Sequence, residues 1–128
     1  MTNQEVAMKL VALCTAHENF AAMEQLYAED IVSVEGQPDT GGKTATSGKQ
    51  AVIDKSKAWA GVHEIHGSST EGPFLSTDGF AVIFQFDVTP KSTGRRTQLR
   101  EIAVYTVNQG LIVREEFFYG EDGDALSR

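Results

Sequence analysis

The stretch NQGLIVREEFFYG, residues 108–120, decides the fold because it contains a turn that leads into a strand. The Asn-Gln-Gly segment is typical of a turn, and Val, Ile, Phe and Tyr favour the pleated, half-buried surface of a sheet. Glu115 and Glu116 are neighbours in this strand, whose successive side chains point to opposite faces. One glutamate must therefore point toward the core, whichever face is buried.

The strand before this turn, residues 98–107, is close enough in sequence to pair directly with the strand after it. We predict that Val107 faces Leu111, which places Ala103 opposite Glu115. A displacement of this register by two residues would keep the same side chains on each face, whereas a displacement by one would exchange the two faces. The register therefore decides which glutamate is buried.

The face that carries Glu115 has the larger aromatic area and no cation, whereas the other face carries arginines. We therefore expect Glu101 and Glu115 to point inward as diagonal neighbours. Arg100 and Glu116 then lie on the other face, roughly 7 Å apart at the backbone, and can form an ion pair. Two buried carboxyls close together predict one raised pKa, which suits proton transfer. The alternative is that both only accept hydrogen bonds or lie at a wet rim.

The first half of the chain has the pattern of three helices. Thr2 and Glu5 have the spacing of a capping box, and apolar residues then recur at helical spacing. Asn19 can cap a second helix. Ser47 and Gln50 predict a capping box for a third, which begins after a loop rich in Gly, Thr and Pro.

Strands dominate the second half. After a short apolar strand at 31–34, we predict strands at 62–75, 80–88, 98–107 and 111–119. Helices followed by antiparallel strands indicate an α+β fold. We expect one domain over residues 1–128, with an acidic tail from residue 120 that frays.

The composition is that of an ordinary soluble protein, with 41% apolar and 23% charged residues. A formal net charge of −7 argues against nucleic-acid and anionic-membrane partners. No run of 18 apolar residues predicts a membrane span, and residues 1–14 lack the pattern of a secretory signal. The single cysteine suits a cytoplasmic location.

These elements together resemble the nuclear transport factor 2-like superfamily, and within it the SnoaL-like domains. The resemblance rests on two helices ending in LYAEDIVSVEG (residues 26–36), a capped third helix, and long strands ending in residues 108–120. It implies a cystatin-like cone: three helices packed in the concave face of a curved, mostly antiparallel mixed sheet, around an apolar pocket. It also implies a homodimer through the outer sheet face. Members include polyketide cyclases, ketosteroid isomerases, limonene epoxide hydrolases, dehydratases and many non-catalytic proteins, so the fold does not settle the function.

The resemblance carries over onto few site residues. In ketosteroid isomerases a carboxylate base follows the first strand, where Glu35 stands here. Their second oxyanion donor is an aspartic acid on the penultimate strand, where Arg100 or Glu101 lies. They also use a tyrosine on the first helix, and residues 9–13 contain none. Epoxide hydrolases place an aspartate on the last strand where this chain has Phe117, so neither catalytic set is complete.

The sequence therefore predicts a small hydrophobic ligand in an internal pocket, with cofactor-free acid/base chemistry of the cyclase, isomerase or hydrolase kind. The alternative is a non-catalytic ligand-binding module or a dimeric scaffold. The candidate catalytic residues are Glu115, Glu101 and Glu35. The candidate substrate-binding residues are Trp59, His63, Phe84, Phe86, Tyr105, Phe117 and Tyr119. No motif for a nucleotide, a metal or a covalent nucleophile is present, so we expect no cofactor.

Overall fold

The computed structural model describes residues 1–120 and 124. Its helices are α1 Asn3–Thr15, α2 Asn19–Leu26 and α3 Lys49–Gly61. Its strands are β1 Tyr27–Val34, β2 Ala45–Ser47, β3 His63–Leu75, β4 Gly79–Pro90, β5 Thr97–Asn108 and β6 Leu111–Phe118. The first strand begins four residues earlier than predicted, and β2 was not predicted. Apart from Gly120 and Asp124, the predicted frayed tail lies outside the described residues.

The strands form one mixed sheet in the order β2-β1-β6-β5-β4-β3. Only β1 and β6 pair in parallel, and the other neighbours are antiparallel. The helices pack on one side of this curved sheet, with α1 against β3 and β4 and α3 against β1. The predicted α+β class and cone architecture are confirmed.

The helix starts follow the sequence only in part. The capping box of Thr2 and Glu5 is confirmed, with both hydrogen bonds present. The other two predicted caps are wrong. Asn19 is the first residue of α2 and makes no capping bond. Ser47 belongs to β2, so Gly48, with a φ of 97°, precedes α3 and leaves it without a side-chain cap.

The turn of the last hairpin is one residue shorter than predicted. Asn108 pairs with Leu111 across a two-residue loop. Both loop residues have positive φ, 52° at Gln109 and 78° at Gly110, as a type I′ turn requires. If the ladder continued regularly from this turn, Glu116 would point toward the core and Glu115 would point away from it.

A bulge in β6 reverses that outcome. Val107 pairs with Ile112, but the preceding Thr106 pairs with Arg114, so Val113 has no partner in the ladder. The slip at the turn and the slip at the bulge displace the register by two residues from the predicted one. The predicted pairs are therefore wrong. From Arg114 onward each side chain of β6 keeps its predicted face, whereas Leu111 and Ile112, which precede the bulge, exchange faces.

The corrected register changes which charged groups are neighbours. Glu115 lies opposite Tyr105, so Glu101 is too far along β5 to be its diagonal neighbour. The predicted diagonal contact between Glu101 and Glu115 is therefore wrong. The predicted ion pair on the outer face is also wrong. Arg100 Nε lies 3.3 Å from Asp124 Oδ1, and Glu116 lies 3.7 Å from an arginine of its own strand.

The core lies between the helices and the inner face of the sheet. Its buried side chains include Val6, Leu10 and Leu26 from the helices and Ile31, Phe80, Val82 and Ile112 from the strands. Within the described part of the chain, no helix is long and apolar enough to cross a membrane. The cytoplasmic location stays a prediction.

Candidate functional site

A cavity of about 750 Å³ opens between the helices and the concave face of the sheet. All three helices and the strands β1, β3, β4, β5 and β6 contribute to its wall. Pockets of roughly 300–1,000 Å³ are typical of small-molecule sites. The scaffold alternative would require the side chains of the chain to fill the cone, and this cavity shows that they do not.

Aromatic side chains form one side of this cavity. The Trp59 ring lies 5.5 Å from that of Phe86, which in turn lies 6.2 Å from Phe84. Alternation along β4 places both phenylalanines on the inner face, and α3 carries the tryptophan. These flat, apolar surfaces suit a small hydrophobic ligand.

Most of the predicted site residues line this cavity, and two do not. The lining members are Glu35, Glu101, Trp59, Phe84, Phe86, Tyr105, Phe117 and Tyr119. His63 stands behind the wall, stacked 4.1 Å from the Trp59 ring, and its Nδ1–H donates to the Trp59 carbonyl over 2.7 Å. Glu115 also lies behind the wall.

Glu35 is held in place by two donors. Lys55 Nζ donates to Glu35 Oε1 over 2.8 Å, and the Tyr119 hydroxyl donates to Glu35 Oε2 over 2.9 Å. Lys55 also donates to Ser33 Oγ over 3.1 Å. The end of β1, helix α3 and the end of the last strand thus meet at this carboxylate. Glu35 is thus held as a hydrogen-bond acceptor on the cavity wall.

Glu101 has the opposite environment. It is half-buried on the inner face of β5, and among the described residues none donates a hydrogen bond to its carboxyl. Burial, with the nearby charges of Glu35 and Glu115, raises the pKa of Glu101 to about 8. The Lys55 ammonium lowers this pKa without offsetting the burial. Glu101 is therefore mostly protonated at neutral pH and can donate a proton.

Glu115 is the most deeply buried carboxyl, with 1% of its surface exposed. The Tyr27 hydroxyl donates a short hydrogen bond to its Oε2. Burial raises the pKa of Glu115 above its ordinary value, although hydrogen bonds from Tyr27 and Ser33 lower it. The inward direction of Glu115 is as predicted, but Tyr27 stands between it and the cavity.

Three tyrosines supply hydroxyl groups around the carboxyls. Burial raises the pKa of both Tyr27 and Tyr105 well above the ordinary value, and the Glu115 charge acts in the same direction. Burial and the Glu35 charge also raise the pKa of Tyr119. All three hydroxyls therefore remain protonated at neutral pH and can act as donors.

Among the lining residues that sequence reasoning missed are Tyr27 and Lys55. Tyr27 directly follows α2, and the chain is already extended at this residue. Lys55 had a detectable signal, because it lies three residues after the buried Val52 and four before Trp59, on one face of α3. Across the described residues, no group of three or more His, Cys, Asp or Glu side chains could hold a metal ion.

Comparison with known proteins gives the family. A family model described as a SnoaL-like domain matches residues 1–119. The chain belongs to this family. A crystal structure from Mesorhizobium loti has 41% sequence identity and a TM-score of 0.89, and covers 93% of this chain and 100% of its own. That protein is named a candidate SnoaL-like polyketide cyclase, with carbohydrate phosphatase as a bracketed second name.

More distant structures share the fold alone. A candidate isomerase from Bacillus subtilis has 23% identity and a TM-score of 0.72, covering 91% of this chain and 88% of its own. A Xanthomonas campestris protein of unknown function with a cystatin-like fold has 13% identity and a TM-score of 0.74, covering 95% and 93%. No curated protein matches the chain.

The SnoaL-like frame resolves one ambiguity on the penultimate strand. Glu101 lines the cavity, whereas Arg100 is on the other face and pairs with Asp124. Glu35 and Glu101 therefore share one cavity.

Proposed function

We propose that this SnoaL-like protein binds a small hydrophobic carbonyl compound in its cavity and moves a proton on that compound without a cofactor. One observation carries the proposal: two carboxyls of the same aromatic cavity have contrasting environments. Lys55 and Tyr119 hold Glu35 as a hydrogen-bond acceptor, whereas Glu101 has no hydrogen-bond partner among the described residues and a pKa of about 8. Two carboxyls in contrasting environments are the usual arrangement for a paired acid and base.

The proposed step uses both carboxyls. Glu101 donates its proton in a hydrogen bond to the carbonyl oxygen, which stabilises the negative charge that develops there. Glu35 removes a proton from the carbon next to the carbonyl, and the electron pair of that C–H bond forms a C=C bond. The C=O π pair moves to the oxygen, which takes the Glu101 proton and completes an enol. Glu35 then returns the proton to the same or another carbon, and Glu101 recovers its own. Atoms and charges balance with no other reactant.

The named relatives support the class of chemistry only in part. The Mesorhizobium loti protein, at 41% identity, carries the polyketide cyclase name. Polyketides are carbonyl compounds, which fits a cavity with a carboxylic acid donor and aromatic walls. The identity of the substrate stays open within this class.

A second candidate function is ligand binding without chemistry. It is favoured by the Lys55 contact, because the ammonium 2.8 Å from Glu35 Oε1 already occupies an oxygen of the carboxylate that would have to accept the proton. It is also favoured by the absence of a tyrosine from residues 9–13. Binding without proton transfer is therefore a distinct outcome of the test below.

The test separates binding from chemistry. A thermal-shift screen with small apolar ketones and lactones identifies a ligand, and NMR in D₂O then follows deuterium exchange at the carbon next to its carbonyl. We expect exchange with the natural chain, and at least a 100-fold loss in Glu35→Gln and Glu101→Gln with binding retained. Glu71→Gln, at an exposed position of β3, is the matched control. Binding with no exchange above the buffer rate would leave only the second candidate.

We also propose that two copies pair through the outer sheet face. Phe74, Val104 and Phe118 are exposed there, beside the half-buried Ile83 and Ile102. The register makes them one apolar patch, since Ile102 lies opposite both Ile83 and Phe118. A patch of this kind fits a second copy of itself in a two-fold interface.

The molar mass of the protein in solution tests whether two copies pair. Light scattering after size-exclusion chromatography should give twice the chain mass for the natural protein and the chain mass for Val104→Lys. Lys9→Glu, on the exposed side of α1, is the control and should not change the mass. A monomeric natural protein at micromolar concentration would contradict the proposal.

A further inference from the structure

The proposed reaction leaves Glu115 without a role, although this carboxyl lies directly behind the cavity wall. Its Oε2 accepts a hydrogen bond from Tyr27, which itself lines the cavity. Tyr105, another lining residue, is its partner across the β5–β6 ladder. Glu115 is thus connected to the ligand space only through hydroxyl groups.

The direction of the hydrogen bond between Tyr27 and Glu115 depends on one proton. An ionised carboxylate only accepts, so the Tyr27 proton must point toward it and away from the cavity. A protonated Glu115 has its own proton to donate, and the Tyr27 oxygen can accept it. The single proton of the Tyr27 hydroxyl is then free for another acceptor, which is either the oxygen of Tyr105, with which Tyr27 also shares a hydrogen bond, or a ligand in the cavity.

The hydrogen bonds of Ser33 leave Tyr27 as the acceptor for the proton of a protonated Glu115. Ser33 is fully buried, and its oxygen already accepts from Lys55 Nζ over 3.1 Å. Its own hydroxyl proton points to Glu115, where the bond lowers the pKa of the carboxyl. A proton on Glu115 is therefore best placed on the side of Tyr27.

We propose that Tyr27 is a hydrogen-bond donor to the ligand, and that Glu115 is a positioning residue that makes this donor available when it carries a proton. This inference rests on the proposed function in one respect, because it needs a ligand in the cavity. It deepens that function by selecting ligands with a hydrogen-bond acceptor, such as ketones and lactones. Residues 9–13 contain no tyrosine that could donate to a ligand, and Tyr27 at the start of β1 would supply such a donor instead.

Charged and titratable groups from each neighbouring element act on Glu115. Burial raises its pKa most strongly, and the Glu35 charge adds to this effect. Lys55, together with the two hydrogen bonds, lowers the pKa. The remaining titratable groups that interact with Glu115 are Cys14 of α1, Tyr27 of β1, and Glu101 and Tyr105 of β5. As pH rises through the raised pKa, Glu115 ionises and the Tyr27 proton turns inward.

The coupling can be measured without any ligand. The full chain is labelled with ¹³C at the tyrosine Cζ and the glutamate carboxyl, and NMR spectra are recorded from about pH 4 to pH 10. Tyr27→Phe and Glu115→Gln assign the two signals. We expect the Tyr27 Cζ signal to shift at the same midpoint as the Glu115 carboxyl, and this step to persist in Glu101→Gln. A Tyr27 signal that does not follow Glu115 would overturn the inference.

The effect on binding uses a matched pair of probes, 2-acetonaphthone and 2-isopropylnaphthalene, which differ in the carbonyl. All affinities are measured in the Glu101→Gln background, because Glu101 itself ionises near pH 8 and is the proposed donor to the carbonyl. In that background, the affinity for the ketone should fall about 5- to 10-fold as pH rises through the Glu115 midpoint, which is the contribution of one hydrogen bond. Tyr27→Phe should lower the low-pH affinity by the same factor and remove the pH dependence. Glu115→Gln, whose amide can donate to Tyr27, should keep the low-pH affinity throughout. The hydrocarbon should show none of these effects.

The two proposals fail in different ways. If neither naphthalene binds while the NMR step is present, ligand binding in the cavity is contradicted and the Tyr27–Glu115 coupling stands. If the ketone binds with an affinity that depends on neither pH nor Tyr27, the cavity function stands and the donor role is overturned.

Discussion

Glu101 and Glu115 lie on the same hairpin and point to the same side of the sheet, yet their exposure and their hydrogen-bond partners differ. Glu115 has 1% of its surface exposed and is bonded to Tyr27 and Ser33. Glu101 is half-buried on the cavity wall and receives no hydrogen bond from the described residues. Burial raises the pKa of both carboxyls, but only Glu101 can reach a ligand. The difference teaches that the partners of a buried carboxyl, more than its depth, decide whether it supports the structure or acts on a ligand.

The largest expected difference between Glu101 and Glu115 is the loss of stability when each side chain is truncated to alanine. Glu115→Ala should lower the free energy of unfolding by about 3–4 kcal/mol, because the buried Tyr27 and Ser33 hydroxyls lose their shared acceptor and a void remains. Glu101→Ala should change it by less than about 1 kcal/mol in either direction, because no partner is lost. Urea denaturation at pH 7 measures both values. Equal losses at the two positions would contradict the contrast, and Glu115→Gln, which keeps a hydrogen-bonding group, should cost less than the alanine.

The pH dependence of the free energy of unfolding tests the raised pKa of Glu101. Burial raises the pKa of Glu101 to about 8 in the folded chain, so its contribution to stability is complete below the unfolded value near 4.5 and is lost as pH rises through about 8. Each pKa unit corresponds to about 1.4 kcal/mol, and partial exposure reduces the total, so we expect a loss of about 2 kcal/mol. Denaturation curves at several pH values should show this loss in the natural chain, and a smaller one in Glu101→Gln. Identical pH profiles would refute the assignment.

Lys55 is the cation that both carboxyls share. Its charge lowers the pKa of Glu101 and of Glu115, and it pairs with Glu35 over 2.8 Å. Lys55→Met should therefore raise the pKa of both carboxyls further and lower the free energy of unfolding by about 1 kcal/mol. Carboxyl ¹³C titrations and urea denaturation measure the two effects. Lys9→Met is the control, and a Glu101 midpoint that is the same in both variants would show that Lys55 does not act on it.

The smallest effect is expected at the edge of the cavity. Tyr119→Phe removes the hydroxyl that donates to Glu35 Oε2 over 2.9 Å. The residue is only half-buried, so water can replace the lost donor and we expect a destabilisation of about 0.5 kcal/mol. Thermal unfolding monitored by circular dichroism is sensitive enough for this change. A loss as large as that of Glu115→Ala would mean that Glu35, too, depends on a closed network of buried partners.

Much of the fold could be predicted from the sequence because its periodicity is local. The alternation in β4 and the capping box of Thr2 and Glu5 gave the correct faces and the correct first helix. The hairpin register could not be predicted, since it depends on a two-residue turn and on the bulge at Val113. A bulge forms to keep apolar side chains on the core face, and a single strand carries no signal for the residue that will be left unpaired.

The candidate site could be predicted only as a set of inward-facing residues. Glu101 and Glu35 line the cavity, but the depth of Glu115 depends on Tyr27, which comes from a strand that pairs with β6 in parallel. Such long-range contacts determine which carboxyl has partners and which is left free. The pattern of a single strand therefore gives the direction of a side chain, whereas its protonation state depends on packing from distant segments.

The central claim is that Glu101 is a mostly protonated carboxyl on the cavity wall at neutral pH, with no hydrogen-bond partner among the described residues. A carboxyl ¹³C NMR titration of the natural chain, with Glu101→Gln to assign the signal, tests it most directly. A midpoint near 8 for Glu101 is the predicted result. A midpoint near 4.5, the ordinary value for glutamate, would mean that the carboxyl is ionised at neutral pH and cannot donate a proton to a ligand.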